Sequence, residues 1–180
     1  METFTALKAF VHNPSYHQQR QECMRKLDMS TIDAPLIEII EGFLALPYCF
    51  TLQCCYGHFL HGAQRNSKTL EPLPISDSIS EVEYRIAYLA LCIQDDESGR
   101  GLFNELSEIP EIDRTYIQFG CAEWFWEQQV NSYALQVEPE RYKKKDSVFI
   151  GYQEALHVQK VRDEFFGELK RVTEKRITKK

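Results

Sequence analysis

The segment Cys54-Cys55-Tyr56-Gly57-His58-Phe59-Leu60-His61 places two thiols and two imidazoles within eight residues. Four chemistries compete for it. Thiolate and imidazole are soft metal ligands, but adjacent residues of a strand point to opposite faces and no paired Cys-x-x-Cys units exist, so no metal is expected. Cys55, at a strand end among polar neighbours, suits nucleophilic catalysis with His58 as its base, although no third, orienting group stands out. In a purely structural reading Cys54 is core, Cys55 fills a tight place and Gly57 serves the turn. In the last reading the turn binds a ligand: glycine permits close backbone approach, and successive N–H groups form a nest for an anion. The substrate-binding candidates are Thr51, Gln53, Cys55, Tyr56, Gly57 and His58; no catalytic base can be assigned.

These residues need a strand to carry them and helices to back it. Tyr48 to Cys55 alternates, with Tyr48, Phe50, Leu52 and Cys54 on one face and Cys49, Thr51, Gln53 and Cys55 on the other. Before it, Asp33 is positioned to cap a helix over Ala34 to Leu46 that Pro47 ends, and Asn13-Pro14 opens a first helix running to about Asp28. Residues 62–80 hold two prolines and little periodicity, the mark of a long loop with a functional role or mobility. Glu83 to Gln94 reads as a strand apolar on both faces, and Asp95-Asp96-Glu97-Ser98 starts a helix reaching Ile109. Arg114 to Cys121 and Ser132 to Glu138 read as further strands, joined through a hairpin arm or bulge at Glu123 to Glu127. A final helix follows Asp146, with Val158, Val161, Phe165, Leu169 and Val172 on its apolar stripe. Strands and helices mix without regular βαβ alternation. The expected architecture is a single α+β domain over residues 1–180, a mostly antiparallel sheet packed with helices.

Composition narrows the function classes. With 43% hydrophobic and 27% charged residues the chain is a globular mixture, and no apolar run approaches a membrane span. The early acid of Met1-Glu2-Thr3-Phe4 argues against a secretory signal, and six cysteines within apolar runs read as free thiols, which together imply the cytoplasm. The net charge of −6 is uneven, because six Lys/Arg and one Glu occupy residues 170–180. The acidic remainder does not attract polyanions through its overall field. The basic helix end and Lys143-Lys144-Lys145 either form a local patch or simply complement a helix dipole. Trp124-Phe125-Trp126 has the spacing of core aromatics or of a base-stacking surface. Arg100 lies near a helix start but behind Asp95, Asp96 and Glu97, a weak anion signal; His12 and His17 lack visible partners, and His157 reads as a partly exposed surface residue of the last helix.

In order of elements the chain resembles the wybutosine-synthesis tRNA methyltransferase family. That family carries a helix leading into a strand that ends Thr-x-Ser-Ser-Cys-Ser-Gly-Arg. Here Ala34 to Leu46 leads into Thr51-Leu52-Gln53-Cys54-Cys55-Tyr56-Gly57-His58, matching the cysteine with Cys55, the glycine with Gly57 and the arginine with His58. Ala134-Leu135-Gln136-Val137-Glu138 matches the family's Val-Glu strand. The serine pair is replaced by Gln53-Cys54, and the arginine by an imidazole. The resemblance implies S-adenosylmethionine as cofactor, tRNA or another nucleotide-containing ligand as partner, and methyl transfer to an RNA nucleotide. A non-catalytic binding domain that keeps the fold is the alternative.

Overall fold

The computed structural model describes residues 4–142 and 145–178. Its scaffold is a long antiparallel ribbon. Strand β2 (Cys49–Cys55) pairs with β5 (Ala87–Ile93), and β3 (His58–Leu60) pairs with β4 (Glu81–Arg85). Cys55 stands opposite Tyr88 and His58 opposite Arg85, the same register, so the two pairs are one ribbon bent at Tyr56-Gly57 and Ile86. Gly57 makes the bend possible with φ +87°, where a side chain is strained.

Below the bend, β2 and β5 belong to a five-stranded antiparallel sheet, ordered β1 (Phe4–Thr5), β6 (Ile117–Ala122), β7 (Ser132–Val137), β5, β2. Above it, β3 and β4 are joined by β8 (Ser147–Gly151) in a three-stranded sheet. The helices are α1 (Tyr16–Lys26), α2 (Ile37–Leu44), α3 (Glu97–Ser107), α4 (Glu123–Gln128) and α5 (Tyr152–Thr178). Helix α5 buries Val158, Val161, Phe165, Leu169 and Val172, the stripe its periodicity predicts, in one core with Phe43 of α2, Leu89, Leu91 and Ile93 of β5, and Val82 and Tyr84 of β4. One helix thereby ties both sheets together, and burying each such aromatic or aliphatic side chain stabilises the fold by about 1.5–3 kcal/mol. The result is an α+β fold of antiparallel sheets packed against helices.

Several local expectations are corrected. The alternation of β2 is interrupted by a bulge at Leu52, between Thr51 and Gln53. Directly opposed residues share a face. Cys49, Thr51 and Cys54 therefore lie with Ile93, Leu91 and Leu89, whereas Phe50, Gln53 and Cys55 lie with Cys92, Ala90 and Tyr88. The extra residue reverses the parity, which period-two reasoning cannot anticipate. The expected strand Glu83 to Gln94 divides at Ile86 into β4 and β5. Glu123 to Gln128 forms a short helix rather than a hairpin arm, with Phe125 buried and Trp124 53% exposed. The segment after Asp146 forms β8 before the last helix begins, because Val148 and Ile150 pair into the second sheet. The helix expected from Ala34 starts as a 3₁₀ turn and becomes α-helical at Ile37. Lys143, Lys144, Lys179 and Lys180 lie outside the described residues. Among the described residues no helix is long and apolar enough to cross a membrane.

Candidate functional site

The bend opens a cavity of about 410 Å³ lined by Gln53, Cys55, His58, Arg85, Tyr88 and Asp146, with Asp33 and Lys68 at its walls. Of the six expected site residues, Gln53, Cys55 and His58 reach it. Thr51 does not: the bulge turns it to the other face, where it is buried and its carbonyl accepts a bond from the Cys23 thiol (3.1 Å). Tyr56 and Gly57 shape the bend. The buried Arg162 of α5 donates to the Gly57 carbonyl (3.1 Å) and lays its guanidinium over the Tyr56 ring (4.2 Å), which stacks on Phe166. Cation–π and charge-assisted bonds together lock the turn to the last helix.

Three side chains converge on one point beside the cavity. The ligand-capable atoms of Asp33, Cys55 and His58 all lie within 4.8 Å of one another. His58 is 5% exposed, and its Nδ1 lies 2.8 Å from the Thr69 carbonyl. A carbonyl only accepts, so Nδ1 carries the proton and Nε2 is directed at Asp33 Oδ2, 3.4 Å away. The Asp33 carboxylate in turn accepts the Tyr56 N–H (2.9 Å). Burial pushes the Cys55 thiol pKa up and the Asp33 charge adds to that, while the backbone at Gly57, Arg85 and Arg162 oppose it. No hydrogen bond joins Cys55 to His58 among the described residues, so the pair is not set as an activated nucleophile and base.

The long loop has a definite task here. Residues 62–80 fold back so that Thr69 anchors His58 while Ser67 and Lys68 form a wall. Asp33 was legible only as a helix cap. It makes no side-chain cap bond and faces the ribbon instead. Arg85 and Arg162 were detectable as charges within apolar strand and helix patterns. Lys68, Tyr88 and Asp146 had no sequence signal. Beneath the site, Glu138 is 0% exposed, with one oxygen accepting from Gln136 Nε2 (3.2 Å) and Oε1 without a hydrogen-bond partner among the described residues. Burial, reinforced by Asp146, pushes its pKa up to about 9. The described cations of the basic helix end are paired: Lys170 with Glu38 and Glu174, Arg171 with Glu168, and Lys175 and Arg176 with Glu105.

No protein-family model matches the sequence, and no curated protein matches it. Two structures of the PH1069 protein from Pyrococcus horikoshii are similar in fold. One is 10% identical with a TM-score of 0.54, covering 89% of this chain and 95% of that one. The other, from strain OT3, is 12% identical with a TM-score of 0.51, covering 91% and 94%. At that identity the likeness shows the fold alone.

Proposed function

We propose that the cavity at the ribbon bend binds a nucleotide-containing ligand, and that it serves methyl transfer from S-adenosylmethionine to an RNA nucleotide. The observation carrying this reading is the presence of Lys68, Arg85 and Tyr88 in one cavity lining with Cys55 and His58. Neither cation has an ion-pair partner among the described residues. A guanidinium binds phosphate or carboxylate in bidentate fashion, and an aromatic face stacks on a base. The resembled motif has an arginine where this chain has His58; Arg85, opposite His58 across the ribbon, brings a guanidinium to the same cavity from the neighbouring strand. A volume of about 410 Å³ is within the range of small-molecule sites. Catalysis there would come from positioning two reactants, since Cys55 is held as a protonated thiol and offers no ready base.

The second reading, a non-catalytic binding domain, draws on the same protonated thiol and on the absence of a Cys55–His58 hydrogen bond. Thermal denaturation with S-adenosylmethionine and, separately, its demethylated product distinguishes the two. A ligand at 100 times its Kd adds about 2.7 kcal/mol, or roughly 5–10 °C of melting temperature for a chain this size. Arg85→Gln should reduce the shift. No shift at saturation with either compound removes the cofactor from the proposal, and nucleotide binding insensitive to Arg85→Gln removes the cavity.

A further inference from the structure

We infer that Asp33, Cys55 and His58 form a site for a divalent transition metal of zinc type, with its remaining coordination position opening into the cavity. The donor set is a carboxylate, a thiolate and an imidazole, and three protein ligands plus an open position is the arrangement of reactive zinc centres. The separation of His58 Nε2 from Asp33 Oδ2, 3.4 Å, is long for a hydrogen bond. It equals the edge expected for two ligands about 2.1 Å from a tetrahedral ion, which is about 3.4 Å. With Nδ1 donating to Thr69, the Nε2 edge of the ring faces a carboxylate, and a cation between them, a metal ion or a proton, is needed to bring the two acceptors together.

Two of the three prospective ligands are also oriented by main chain. His58 donates to the Thr69 carbonyl and Asp33 accepts from the Tyr56 N–H. Such outer partners fix the tautomer and aim of metal ligands. Cys54 and Cys55 pair on opposite faces of β2 and cannot share one ion, as their adjacency implies, but the third ligand comes from the turn before α2 instead. On binding, the Cys55 proton passes to solvent as the thiolate joins the ion.

The inference does not require methyl transfer, and its test uses metal alone. Full-length protein, prepared without a metal-affinity column and stripped with chelator, is titrated with Co²⁺ and then with Zn²⁺. We expect one equivalent of Co²⁺ to produce the intense visible bands of a tetrahedral centre and a near-ultraviolet thiolate-to-cobalt band, both abolished by Zn²⁺. Cys55→Ser should remove the thiolate band, while Asp33→Asn and His58→Gln each weaken affinity tenfold or more. Cys54→Ser should leave the spectrum unchanged. Circular dichroism verifies that each variant is folded, and Asp33→Asn retains an oxygen for Tyr56. Absence of a thiolate band in the wild type, its survival in folded Cys55→Ser, or its loss in folded Cys54→Ser overturns the site. In the first case a protonated His58 paired with Asp33 accounts for the geometry.

Discussion

At Gly57 the backbone takes φ +87°, and a Cβ added there would meet the Ala87 Cβ at 2.8 Å. Both penalties fall on one substitution, so Gly57→Ala should cost about 1–3 kcal/mol in urea denaturation. Adding Ala87→Gly should restore only the steric part, and full recovery would show that the conformation itself is not strained. Glu138 poses a different residue-scale question. Its pKa rises from 4.5 to about 9 on folding, because the carboxyl is buried and Asp146 is near. Between those values the unfolded chain has released the proton while the folded chain keeps it. Stability therefore falls as pH rises across that window and levels off above it. Glu138→Gln should flatten this dependence and raise the melting temperature at pH 8. An unchanged slope would mean that Glu138 ionises normally in the fold.

At the scale of elements, the ribbon and α5 define the site together. The bulge at Leu52 decides which residues of β2 face the cavity, and the bend at Gly57 carries the ribbon from one sheet to the other. Arg162 secures that bend from α5, with its guanidinium bonded to the Gly57 carbonyl and placed over Tyr56 and Phe59. Lysine keeps the charge but loses the planar fork and the stacking. Arg162→Lys should destabilise the fold by about 2 kcal/mol, the cost of losing a charged hydrogen bond in a buried setting. It should also weaken ligand binding at the cavity, which titration calorimetry would read; stability and binding both unchanged would mean that the bend holds itself. Periodicity made most elements legible, since α5, α3 and the central strands follow apolar patterns that burial enforces. The separate strand β8 was not, because it depends on β4, its partner distant in the chain, and nor was the short 3₁₀ turn that precedes α2.

For the whole molecule, charge distribution limits how a polyanion could be held. The described cations of the helix end are engaged by glutamates, and surface pairs of this kind contribute little to stability while neutralising the local field. Among the described residues, the proposed phosphate recognition draws on Lys68 and Arg85 at the cavity rather than on the paired cations of the helix end. By itself the sequence determined the α+β class, the apolar stripe of the last helix and an interior strand within Glu83 to Gln94, and it singled out Cys55, Gly57 and His58 as candidates. Those features follow from local periodicity, turn chemistry and residue type. Only the tertiary structure decided that Asp33 faces His58 rather than a helix end, that Thr51 points away, and that Arg85, Lys68 and Arg162 surround the turn. The physical reason is that these placements come from strand register, a single bulged residue and long-range packing, which no local pattern encodes.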